Sequence, residues 1–264
     1  MSQWLDLAWR PGNDKNLGMP SDGSKLPEQV PPAVEAEAPL ASDDRLAAEL
    51  RGFGPLGIVA MLAILLTGNF FVRGVIVPVG AALALAWIRL SRTPWQEVGY
   101  VRPKNWIGTV AVGIVFGIAF KFLMKAIVMP LLGADAINRA YHHWAGNTAA
   151  MPAAVWAMLV AGFAEETVFR GYFFERLGKL FGPGLGAKAA IVLITSASFG
   201  LAHYAVQGLA GAEHAAIVGL VLGAIFAFTG RIFLLMIAHA AFDLTALAII
   251  YWSVETKVAH LIFK

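Results

Sequence analysis

The stretch PAAVWAMLVAGFAEETVFRGYFFE, residues 152–175, decides how this chain folds. Its first thirteen residues contain no charged side chain. As a helix the whole stretch would rise about 36 Å, enough to cross a hydrocarbon layer about 30 Å thick. Two glutamates, a threonine and an arginine then sit inside the apolar run, where water cannot solvate them.

Working outward, runs of the same kind recur. From Pro55 onward the chain predicts spans near 55–71, 74–90, 106–132, 152–175, 186–205, 213–229 and 231–252. The first two are short and separated by Arg73 alone, so one of them also suits a re-entrant or tilted segment. The expected fold is an all-α polytopic transmembrane helix bundle of about seven spans, six to eight. No strand-like alternation is long enough for an outer-membrane barrel. With 58% hydrophobic and only 14% charged residues, the chain departs from soluble domains, in which about a quarter of residues are charged. The absence of cysteine excludes disulfides, thiolate metal sites and a cysteine nucleophile.

Residues 1–50 read differently. They hold nine Asp and Glu against four Lys and Arg, with Gly, Ser and Pro clusters and few apolar side chains. Such composition predicts a disordered N-terminal tail, followed by a transmembrane domain over 51–264. Trp4, Leu5, Leu7 and Trp9 suit a membrane interface. No basic n-region leads into an apolar core, so a cleaved signal peptide is not expected.

The remaining 214 residues hold eight acidic and sixteen basic side chains. Arg89, Arg92, Arg102 and Lys104 fall in one gap, Arg176, Lys179 and Lys188 in another, and Arg231 in a third. The alternate gaps hold Arg73, Arg139 and nothing over 206–212. That asymmetry predicts an inner-membrane, multi-pass protein with the N-terminus and the basic loops in the cytoplasm. Singly placed cations of this kind do not make a nucleic-acid patch, so nucleic acid is not an expected partner.

Three groups of polar residues lie at membrane depth, where each costs several kcal/mol unless paired or hydrated. Glu165 and Glu166 precede Arg170; Glu166 and Arg170 are four apart, the favourable order for an ion pair on one helix face. Glu165 points about 100° away from Glu166 and is left free. Phe199 and His203 share a face of the next span, and His239 and Asp243 share a face of the last. With the turn at Gly182, Glu165 lies 17 residues before it and His203 21 after, so their depths differ by only about 6 Å. Taken singly, each group also suits hydrogen bonding between helices. Three groups on late spans, with no soluble domain to serve, point to one shared site.

That set can perform hydrolysis. Glu165 and His203 can hold a water between them, the carboxylate accepting its proton. His239 can donate to the oxyanion of an attacked amide, with Asp243 holding its other ring nitrogen. Zinc stays open as an alternative, because Glu165, His203, His239 and Asp243 are all competent ligands. No His-Glu-x-x-His zinc helix or Gly-x-Ser-x-Gly elbow is present.

In their order, Glu165-Glu166-x-x-x-Arg170, Phe199-x-x-x-His203 and His239-x-x-x-Asp243 resemble the CPBP family, named for CAAX proteases and bacteriocin-processing enzymes, over about residues 90–250. Within that family the chain is similar to the type II CAAX prenyl endopeptidase. The resemblance implies an intramembrane glutamic endopeptidase without metal or other cofactor. It implies Glu165 as the water-activating carboxylate together with His203, Glu166 and Arg170 as support, and His239 with residue 243 as the oxyanion pair. It also implies a cavity open to the cytosolic side, membrane lipids as surroundings and a membrane-associated or lipidated peptide as substrate. The eukaryotic enzymes carry Asn where this chain has Asp243. An ionised Asp cannot donate to an oxyanion, so it is expected to act through His239. Two other classes fit the residues less well: a non-catalytic immunity or scaffolding protein, and a proton-coupled transporter, which would more often show repeats or broken helices.

Lys121 and Lys125 share a face of the third span and are expected either to pair with Glu165, Glu166 or Asp243 or to snorkel. Tyr141, His142, His143 and Trp144 read as interfacial, and Glu213 and His214 as a surface start of the sixth span.

Overall fold

The computed structural model describes residues 42–69 and 76–263. Among them every regular element is helical and none is a strand. The order is α1 (Ser42–Arg51), α2 (Pro55–Asn69), α3 (Ile76–Leu90), α4 (Trp106–Leu131), α5 (Thr148–Phe181), α6 (Leu185–Thr229), α7 (Ile232–Tyr251) and α8 (Glu255–Ala259). α1 occupies the last residues of the stretch expected to lack order. The rest of that stretch, with Trp4, Leu5, Leu7, Trp9 and also Arg73, lies outside the described residues.

Of these helices α4, α5, α6 and α7 are each long and apolar enough to cross a membrane. α6 has 45 residues and is bent at Gly208, whose φ of 67° and ψ of −164° lie outside the helical range. A side chain is strained there, and glycine is not. The chain reverses at that point: Gly200 abuts Ala216, Gly219 abuts Ser196, and Gly223 abuts Val192. Limbs 185–207 and 209–229 are therefore antiparallel, each about 30 Å long or slightly more. They answer to the two expected spans on either side of 206–212. α2 and α3, at 15 residues each, are shorter than a straight crossing needs. With the two limbs counted apart, seven apolar helical segments follow one another as the sequence implied.

Outward from the bundle, Ile107, Val115, Trp156, Leu193, Leu201 and Phe228 are exposed. In water this surface would be one large association patch; a lipid layer suits it. Inside, Val168, Phe169 and Tyr172 of α5 meet Trp87 and Ile88 of α3, Phe226 of α6 and Leu235 of α7 in one core.

α7 is the axis of the bundle, and two glycines let its neighbours approach. A Cβ on Gly117 of α4 would lie 2.2 Å from Ala238 O, and one on Gly162 of α5 would lie 2.6 Å from Ala240 N. Backbone thus meets backbone on both sides of His239. Small residues at such contacts are how membrane helices come close. Gly117→Ala is expected to cost about 1–3 kcal/mol through overpacking, seen as a lower Tm in detergent. Gly113→Ala, whose Cβ would meet the Ile237 side chain at 2.8 Å and backbone only at 3.3 Å from Leu234 O, should cost less. The reverse ranking would contradict this packing.

Arg176 corrects one reading. It counts as a loop cation in the sequence, yet it is buried. Its guanidinium donates to Arg51 O at 2.8 Å and Gly52 O at 3.2 Å, lies over the rings of Phe53 and Trp87, and pairs with Glu175. The long side chain reaches from the end of α5 to the α1–α2 junction, which a one-dimensional reading does not reveal.

Candidate active site

Glu165 and Glu166 lie near the middle of α5, where the helix widens into π-type turns over Thr167–Phe173. Such widenings recur at functional sites. This one is wholly buried, and Thr167 Oγ1 shares a 2.8 Å hydrogen bond with the Tyr100 hydroxyl. Arg170 still reaches back one turn, its Nη1 donating to Glu166 Oε1 at 2.8 Å. The same oxygen accepts a 2.7 Å hydrogen bond from His239 Nδ1. Glu166, Arg170 and His239 are at most 5% exposed as side chains. Arg170 also lies 4.8 Å from the Phe199 ring centroid and within 3.5 Å of Gly219 O, tying α5 to both limbs of α6.

With Nδ1 bound to Glu166, His239 turns Nε2 toward a cavity of about 120 Å³. Glu165 Oε2 is 3.6 Å from that nitrogen and Asp243 Oδ2 3.7 Å. His203 stands in the same wall; its Nδ1 donates to Phe199 O at 2.8 Å, so Nε2 is the nitrogen left for the cavity. Phe199 packs edge-on against both histidines and Phe169, separating Arg170 from the cavity. One face of this chamber holds carboxylates that can accept protons, and another holds imidazole nitrogens.

All six residues singled out in the sequence therefore meet. Glu165, His203, His239 and Asp243 line the cavity, while Glu166 and Arg170 lie behind His239. The role read for Asp243 needs correction: the carboxylate on the second ring nitrogen is that of Glu166. Asp243, one helical turn from His239, instead faces the same Nε2 as Glu165. Among the described residues, no group of three or more His, Asp or Glu side chains is arranged to hold a metal ion.

Other residues of the cavity depart from their sequence expectations. His214 lines the chamber 3.4 Å from Lys121 Nζ, and Lys121 lies over the Phe242 ring. That lysine does not snorkel; of the three expected carboxylates, Asp243 is the one whose charge acts on it. Lys125 instead donates to Ala136 O. Asn138, Tyr141 and Trp144, from the segment joining α4 to α5, close the cavity's outer wall. The segment is held down by buried Glu255, which accepts from Asn138 N and His142 Nδ1, both at 2.8 Å.

This wall lies at the end of the bundle opposite the basic loops. Lys179 pairs with Glu97, and Gly99 O accepts from Ile232 N, at one end; Gly146 N donates to Tyr251 O at the other. The cavity lining thus extends toward the end of the bundle away from the basic loops.

Residues 147–245 match the family model of the type II CAAX prenyl endopeptidase, Rce1-like. The Rce1-like segment contains all six residues of the sequence motifs, and it supports a protease acting on peptide bonds within a multi-pass membrane bundle. It covers less than half of the chain, so α4 and the 134–146 segment stand outside it. No curated protein and no solved structure gives a match to this chain.

Proposed function

We propose that this protein is an intramembrane endopeptidase that hydrolyses a peptide bond with water activated by Glu165. The observation that carries the reading is the convergence of Glu165, His203, His239 and Asp243 on one cavity inside an apolar bundle, within the Rce1-like segment. Glu165 takes a proton from water as the oxygen attacks the amide carbonyl, and returns it to the leaving nitrogen when the tetrahedral intermediate collapses. His203 Nε2 orients the water. His239 Nε2 donates to the oxyanion, and the Glu166 carboxylate, itself fixed by Arg170, holds that ring in place. Asp243 adds charge beside the ring. No metal or other cofactor takes part in this scheme.

The substrate is a membrane-associated or lipidated peptide or protein, the class that a cavity set inside an apolar bundle is placed to meet. The enzyme sits in the plasma membrane. On the charge rule the basic end faces the cytoplasm, and the wall formed by Asn138, Tyr141 and Trp144 faces away from it. A non-catalytic membrane protein would have no use for a proton acceptor and an oxyanion donor in one chamber.

The test is cleavage of membrane-embedded or lipidated peptides by the purified protein, wild type against His203→Ala, with and without a chelator. Two fragments are expected from the wild type, unaffected by chelation, with the rate lowered about 10²-fold or more in His203→Ala. Equal cleavage by both proteins, or none by the wild type, removes the endopeptidase reading. Loss of cleavage on chelation would favour the zinc alternative.

A further inference from the structure

The oxyanion site just described has a deficit. Asp243 cannot donate a hydrogen bond when ionised, and His239 is flanked by carboxylates, so a developing negative charge on the substrate has a single donor. The chamber contains one phenol. Tyr141 lies in the 134–146 segment, outside the Rce1-like match, and lines the cavity together with Glu165, His239 and Asp243.

Its orientation is fixed from three directions. The ring stacks on Trp144 at 4.9 Å and 8°. Gln207 Nε2, beside the Gly208 turn of α6, donates to the phenol oxygen at 3.4 Å, so the phenol's own proton is not spent on that contact. The segment carrying it is pinned by buried Glu255 through Asn138 and His142. Burial and the neighbouring Glu165 and Asp243 carboxylates push the phenol up to about 12. It therefore stays protonated and keeps its donor at any working pH.

We infer that Tyr141 is a second oxyanion donor, its hydroxyl giving a hydrogen bond to the carbonyl oxygen of the bond being cleaved, opposite His239. This inference rests on the endopeptidase reading. As water adds to the carbonyl carbon, the C=O pair moves onto oxygen and is held by the Tyr141 O–H and the His239 N–H. It returns when the C–N bond breaks and the nitrogen takes the proton from Glu165. Tyr141 neither gains nor loses a proton overall.

The experiment compares wild type, Tyr141→Phe and Tyr141→His in kcat, KM and Tm on the same membrane-embedded peptide. Phenylalanine keeps the stacking on Trp144 and removes the donor, with the long 3.4 Å Gln207 contact as the one accompanying loss. The expected result is a fall in kcat of about 10²-fold, with KM within about threefold and Tm unchanged. Tyr141→His, which retains a donor, should recover at least about tenfold over Tyr141→Phe; should the phenylalanine variant not fold, the histidine variant is read against Tyr141→Leu instead. If wild type cleaves and Tyr141→Phe matches its kcat, or if the change lies wholly in KM, this inference falls while the endopeptidase reading stands. If the wild type cleaves nothing, both fall.

Discussion

Arg170→Met is expected to destabilise the protein by about 3–5 kcal/mol, the cost of breaking a buried ion pair by removing one partner. Arg170 is 1% exposed and its partner Glu166 is fully buried. Removing the guanidinium strips Glu166 of a 2.8 Å donor and Phe199 of the cation over its ring. It leaves a carboxylate at membrane depth with His239 as its remaining hydrogen-bond partner. For a chain of this size the loss corresponds to about 6–20 °C in Tm, measurable by thermal unfolding in detergent. Adding Glu166→Gln to Arg170→Met should recover part of it, because the orphaned charge is then gone. A single variant as stable as the wild type would mean that Arg170 does not hold α5 to α6.

Glu165→Gln should behave in the opposite way. Its side chain makes no close ion pair of the Glu166–Arg170 kind; the nearest charged partner, His239 Nε2, is 3.6 Å away. Glutamine has nearly the same shape and leaves the packing in place, so Tm should stay within about 2 °C of the wild type. Without the carboxylate, water has no acceptor for its proton, and the rate should fall by about 10²–10⁴-fold. Two adjacent glutamates would thus divide into one that holds the structure and one that serves the reaction. Circular dichroism and turnover on the same preparations separate the two effects.

The division between Glu165 and Glu166 is legible in the sequence because it follows from helix periodicity alone: four residues to Arg170 from one, a quarter turn and more between the two. The spans are legible for a similar reason, since length and apolarity are properties of a single segment. What the sequence hides depends on contacts between distant segments. Glu166 reaches His239, 73 residues away, because Gly162 lets α5 touch the α7 backbone at Ala240. Asp243 is the nearer carboxylate along the chain and so suggests itself as the orienting one. Tyr141, Trp144 and His214 look like surface residues because they follow or precede long apolar runs. The 134–146 segment nevertheless folds back over the bundle, and the 209–229 limb turns His214 inward beside Lys121. Arg176 is hidden in the same way: its charge suggests water, while the carbonyls at Arg51 and Gly52 that receive it belong to another part of the chain.

The central claim, that Glu165 activates water against a peptide bond inside the membrane, is tested most directly by mass analysis of products. Purified wild type and Glu165→Gln, matched in Tm and reconstituted into liposomes, are each given the same membrane-embedded peptide. The account predicts two fragments whose masses sum to the peptide plus one water with the wild type, and intact peptide over the same time with Glu165→Gln. Equal cleavage by the two proteins would contradict it.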